Sequence, residues 1–233
     1  MQLHTREWGS GGDRTALLVH GIMSDSRTWR RVAPALADRG YHVIAVDLRG
    51  HGASPRGEYS PQLFADDLAD TLPTGADLAI GHSLGGLTLA LAVERLRPAR
   101  AVYSDPAWNF VQPDLDFDPA VFVEFAAQAT RESVAAMNPR WDAEDVEVEL
   151  ETLAGWDSAT ALALSAAAEQ AGLPAAPVVP SLVQVADPSF LLDEEAKRIL
   201  ADRGFEVRTV KGAGHTIHRD DFEGFMASLE NWI

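Results

Sequence analysis

Five residues, Gly81-His82-Ser83-Leu84-Gly85, set a serine between two glycines at the end of an apolar run. The run before it, 76–82, reads as a strand, and 84–98 after it reads as a helix that stops at Pro98. Serine is a weak nucleophile until a base takes its proton. A sharp strand-to-helix turn lifts its hydroxyl above the strand ends. There the free N–H groups and dipole of the new helix favour developing negative charge. G-x-S-x-G in this setting has the form of a nucleophile elbow. The glycines two residues to either side leave room for neighbouring backbone. A second apolar run, 15–21, ends at His20-Gly21 and opens into the loop "HGIMSDSRTW". A backbone N–H there, paired with that of Leu84, would form an oxyanion hole; Ile22 is the first candidate and Met23 the second.

Elements that could hold such a site in place recur along the chain. Segments 15–21, 41–50, 76–82, 100–105, 181–187 and 205–214 read as strands, most of them continuously apolar, as in a parallel sheet covered on both faces. Helix-like segments 25–40, 60–72, 84–98, 192–204 and 221–233 lie between them. This alternation predicts a doubly wound, mostly parallel α/β sheet. It breaks once. From Pro106 to Pro180 three helix-like stretches, about 118–137, 142–153 and 158–171, replace the strands. Residues 106–180 therefore read as a helical insertion resting on a core made of 1–105 and 181–233.

Four motifs, "HGIMSDSRTW", "DLRGHGAS", "GHSLGG" and "GAGHTIH", stand at strand ends in an order that strongly resembles the α/β-hydrolase superfamily. The resemblance covers nearly the whole chain and is weakest across 106–180. It implies an eight-stranded sheet, a helical cap inserted after the sixth strand, and a Ser–acid–His triad. The superfamily's chain order is serine, acid, histidine. Only His215 and His218 follow Ser83. His215 lies where the family's base lies, and His218 reads as a structural or pocket contact. His215-x-x-His218 lacks the spacing of a zinc-binding helix, so no metal is expected. For the acid, Asp187 at the end of 181–187 is preferred, with Asp105 at the end of 100–105 as the alternative.

Relatives that open epoxides or carbon–halogen bonds usually carry aspartate at the elbow. Serine favours a carbonyl and an acyl-enzyme. The expected activity is hydrolysis of a small, hydrophobic ester or thioester without any cofactor. Carbon–carbon bond hydrolases, lyases and cofactor-free oxygenases use the same triad and remain alternatives. So does a binding or accessory protein with little turnover. Trp108, Phe110, Phe122 and Phe125 are candidate substrate-binding residues, because they cluster where the insertion begins. The competing reading is that they pack the insertion onto the sheet.

Bulk properties agree. The 233 residues suffice for a full core, and 46% hydrophobic with 23% charged residues is ordinary for a globular protein. The absence of cysteine removes disulfides, thiolate metal sites and a cysteine nucleophile. A net charge of −16 argues against nucleic acid or an anionic membrane as partner and leaves a small molecule. The first twelve residues hold no apolar stretch of the signal-peptide kind, and no run approaches the ~18 residues that span a bilayer. A cytoplasmic location is expected.

Overall fold

The computed structural model describes residues 1–109, 118, 120–161 and 172–233. Strands β1 (Thr5–Trp8), β2 (Arg14–Val19), β3 (Tyr41–Val46), β4 (Leu78–His82), β5 (Ala101–Ser104), β6 (Ser181–Val185) and β7 (Glu206–Thr209) form one sheet in the order β1-β3-β2-β4-β5-β6-β7. All neighbours pair in parallel except β1, which runs antiparallel to β3. Seven strands are described, against the eight that the family resemblance implies. The helical segment accordingly follows the fifth strand, not the sixth. The sequence reading missed β1. At the edge of the sheet its two end residues are half-buried and its two middle ones, Arg6 and Glu7, exposed, so no apolar run marks them.

The central strands are apolar throughout because both faces are covered. Along β2, Leu17 and Val19 join one core and Ala16 and Leu18 the other. Helices α2 (Pro61–Thr71) and α3 (Leu84–Leu96) pack on the first face; α1 (Val32–Ala37) and the C-terminal helices cover the second. The helix expected over 25–40 is split into a 3-10 turn, Ser26–Trp29, and α1. Pro34 explains the restart, since proline is tolerated only in a helix's first turn. Between β5 and β6 lie α4 (Ala120–Gln128), α5 (Arg131–Met137) and α6 (Ala143–Gly155). The single helix expected over 118–137 breaks at Thr130, whose side chain accepts from the Ser133 amide and starts α5 afresh. The stretch expected over 158–171 lies largely outside the described residues. After β6 come α7 (Glu194–Asp202), α8 (Ile217–Asp220) and α9 (Phe222–Ser228).

The turn from β4 into α3 is the tightest junction of the sheet. A Cβ on Gly85 would lie 2.3 Å from the Val19 carbonyl oxygen and 2.5 Å from that of His20; one on Gly81 would lie 2.4 Å from the Gly85 oxygen. Both glycines are therefore set by close approach of backbone. Gly85→Ala should destabilise the protein by ~1–3 kcal/mol, as overpacking does. Gly11→Ala, at a site with nothing within 4 Å, should change stability by less than about 0.5 kcal/mol. Thermal melts of the two variants check the contrast, and equal melting temperatures would refute it.

Candidate active site

Ser83 sits at the α3 N-terminus with φ 51° and ψ −117°, a left-handed conformation that costs a non-glycine residue roughly 1–3 kcal/mol. Hydrogen bonds hold it there. Its amide donates to the Ser104 carbonyl (3.0 Å), and its own carbonyl accepts from the amides of Gly86 (2.9 Å), Leu87 (3.1 Å) and Ala107 (3.1 Å). Met23 (φ 61°) and Asp105 (φ 40°) are strained in the same way, so three of the five non-glycine residues with positive φ among the described residues meet at this site.

The His215 ring Nδ1 lies 2.7 Å from Asp105 Oδ2. Asp105 is fully buried at the end of β5, and its other oxygen accepts from the Ser189 hydroxyl (2.8 Å) and the Ala186 amide (3.2 Å). Donation from Nδ1 leaves Nε2 as the bare nitrogen of a neutral imidazole. Asp187, the acid preferred from the sequence, does not meet the histidine. It is exposed just past β6, and its carboxylate accepts instead from the Gly212 amide at 3.2 Å. The chain leaving β6 brings the backbone of Ala186 and the hydroxyl of Ser189 to Asp105, and turns the Asp187 side chain outward.

Ser83 and His215 line one cavity of about 220 Å³. Ile22, Met23 and Leu84, the three oxyanion-hole candidates, line it too. Leu84 is the first residue of α3, so its N–H has no acceptor within the helix. Phe122 reaches this cavity and Phe125 a neighbouring one. Trp108 reaches neither. It is 1% exposed and packs against Tyr103 (4.7 Å between ring centroids) and Phe205 (5.8 Å), so it belongs to the core beneath the site. Phe110 lies outside the described residues. Among the described residues there is no cluster of His, Asp or Glu that could hold a metal ion. No described helix is long and apolar enough to cross a membrane.

The family model for the alpha/beta hydrolase family matches residues 16–227. The chain belongs to this family. Among curated alpha/beta hydrolase relatives, epoxide hydrolase A of Mycobacterium tuberculosis is 38% identical over 96 residues, 38% of this chain and 30% of that protein. The 2-(acetamidomethylene)succinate hydrolase of Mesorhizobium japonicum is 37% identical over 127 residues, 52% of this chain and 41% of that protein. The matched segments thus span less than half of these relatives. Two solved structures share the fold along nearly the whole chain. An esterase from Exiguobacterium antarcticum has a TM-score of 0.79 at 17% identity, covering 99% of this chain and 94% of that one. N-formylmaleamic acid deformylase from Pseudomonas putida S16 has a TM-score of 0.78 at 23% identity, covering 97% and 95%.

Several residues of this alpha/beta hydrolase's cavity were not singled out from the sequence. Phe190 lies with its ring tilted 4.9 Å from the His215 ring and lines the cavity although 68% exposed. Its position in the loop after β6, at the strand's C-terminal end, was the available signal. His82 donates from Nε2 to the His215 carbonyl oxygen (2.9 Å), tying the elbow to the histidine loop. His218 stacks on Trp29 at 4.3 Å, and both its ring nitrogens lack a hydrogen-bond partner among the described residues. Read from the sequence as a structural or pocket contact, it lines the cavity. Arg219 pairs with Glu149 (2.6 Å) on the cavity wall.

Burial lowers the pKa of His20, His51, His82 and His218, that of His51 to about 3. Neighbouring histidines add to the effect at His51, His82 and His218, and Arg219 at the last two. The folded protein therefore keeps these rings neutral where the unfolded chain, with histidine pKa near 6.5, takes up protons. Stability is fully present above pH ~6.5 and falls as pH drops below it. Melting temperatures measured between pH 7 and 5 should fall continuously. A flat profile across that window would show that the rings are already charged in the folded protein.

Proposed function

We propose that the chain is a serine hydrolase of a small carboxylic ester or thioester. Ser83 is the nucleophile, His215 the base and then the acid, and Asp105 the carboxylate that orients the ring. The observation that carries this reading is the 2.7 Å bond from His215 to buried Asp105, on a ring that shares a cavity with a serine at a strained elbow. The Ser83 hydroxyl gives its proton to His215 Nε2 as its oxygen attacks the carbonyl carbon. Asp105 stabilises the resulting imidazolium and holds the tautomer. The amides of Leu84 and Ile22, with Met23 as alternative to Ile22, stabilise the oxyanion. Collapse expels the leaving group with a proton from His215. Water, activated by the same ring, then cleaves the acyl-enzyme. The chemistry needs neither metal nor organic cofactor.

Residues 106–180 act in this reading as a cap that shapes the substrate site. The placement of Phe122 from α4 and Glu149 from α6 on the cavity wall supports it. The apolar share of that wall, with Ile22, Leu84, Phe122, Phe190 and Leu191, supports a hydrophobic acyl group. A relative named epoxide hydrolase does not move the reading to epoxides, because a serine needs a carbonyl to form an acyl-enzyme. The acidic, cysteine-free composition supports a cytoplasmic location.

Ser83→Ala should fold normally, resist labelling by a fluorophosphonate and lose roughly 10³-fold or more in kcat. Near wild-type hydrolysis of p-nitrophenyl acetate by this variant would sink the assignment. Steady multiple turnover separates an enzyme from a binding protein, and product identity with oxygen dependence separates ester hydrolysis from the other triad chemistries. Asp105→Asn should cost about 10³–10⁴-fold in kcat through the wrong imidazole tautomer. Asp187→Asn should stay within about tenfold of wild type, its carboxylate making only the Gly212 contact. The reverse ranking, in variants of matched melting temperature, would return the acid to Asp187.

A further inference from the structure

A second cavity, of about 400 Å³, adjoins the first. Met23, Glu149, His215 and Thr216 line both and form the boundary between them. The two differ in what else they touch. Ser83 and Leu84 line only the smaller cavity, along with Ala107 and Leu191, all of them buried. The larger one reaches His215 without reaching Ser83. Its outer wall is Phe125 on α4, Met137 at the end of α5, and the turn 138–141. Met137 is 65% exposed, so this cavity runs out to the surface.

Acyl transfer divides a substrate between these two groups. The acyl carbon bonds to the Ser83 oxygen as its bond to the leaving oxygen or sulfur breaks. That leaving atom takes its proton from His215 Nε2. The acyl chain therefore stays with the serine, and the leaving group lies against the histidine. We propose that the cavities part the substrate at its scissile bond. The chamber at Ser83 takes a short acyl group, and the compartment between Phe125 and Trp141 takes a larger alcohol or thiol with a flat, apolar body. This rests on the serine-hydrolase reading and names its substrate class more narrowly.

The wall of the compartment fits such a group. Trp141 is fixed from two directions: its indole N–H donates to Asp220 Oδ1 (3.0 Å), and the Arg219 guanidinium lies 3.5 Å from its ring centre. An aromatic ring held in this way offers area without losing rotamer freedom on binding. Met23, Phe125, Met137 and Pro139 supply the rest of the apolar surface, with Arg140 and Glu149 among the polar groups of the wall.

Phe122 and Phe125 make a controlled test, because both are half-buried on α4 yet face different cavities. Wild type, Phe122→Trp and Phe125→Trp would be assayed on acetyl and octanoyl esters of one phenol, and on phenyl and 2-naphthyl acetate. For wild type, kcat/KM should fall roughly tenfold or more from acetyl to octanoyl, and KM should fall from phenyl to naphthyl. Phe122→Trp should steepen the acyl-length preference, and Phe125→Trp should reverse the naphthyl preference. Both substitutions changing the same ratio, or each changing the other's, would overturn the division of the substrate. So would a wild-type preference for long acyl chains. Failure of a fluorophosphonate to label Ser83 in the wild-type protein would be a different result. It would remove the hydrolase reading itself, and this assignment with it.

Discussion

The Asp105 carboxylate is the point on which the site depends. It stands at the end of β5, and its amide donates to the Gln184 carbonyl of the next strand. Its side chain gathers the Ala186 amide and Ser189 hydroxyl from the chain leaving β6 and the His215 ring from the chain leaving β7. Three strand ends are thereby locked to one buried anion. A carboxylate without water is costly unless each oxygen is engaged, and here each is. The same contacts that make the burial tolerable determine which way the imidazole faces.

Strain is concentrated on the other side of that imidazole. Ser83 holds an unfavourable backbone conformation because four hydrogen bonds from β5, the following turn and its own helix over-determine it. Gly81 and Gly85 let three stretches of backbone approach to distances no side chain permits. His82 then connects the elbow to the His215 loop directly, through its bond to the His215 carbonyl. Ser83 is thus held by the sheet, and the His215 ring by a carboxylate at a strand end.

Charge helps to attach α6 to the core. Asp145, in the first turn of α6, is buried between Arg30 (3.0 Å) and Arg219 (3.5 Å) of the core. Glu144 pairs with the same Arg30, and Glu149 with Arg219. Part of the acidity of this segment is therefore structural. The acids also stand at the N-terminus of α6, where the helix dipole favours them. Arg219 turns its guanidinium to Trp141, so one residue serves both the attachment and the wall of the outer cavity.

Local chemistry made much of this legible. The strands showed as apolar runs because both faces of the sheet are covered, and the elbow showed because only glycine fits its flanks. His215 could be named because only two histidines follow the serine and the family order is known. What the sequence left open was every choice that depends on where a strand end points. Asp105 and Asp187 both close apolar runs, and nothing in their neighbours separates them; in the fold the His215 ring contacts Asp105, which Ser189 and Ala186 hold in place. Trp108 and Phe122 look alike as aromatics near the start of an insertion, yet one is core and the other cavity wall. The break at Thr130 was written in a capping pattern and could have been read. The pairing of Arg30 and Arg219 with α6 could not, since those partners lie between 70 and 115 residues apart and only the folded chain brings them together.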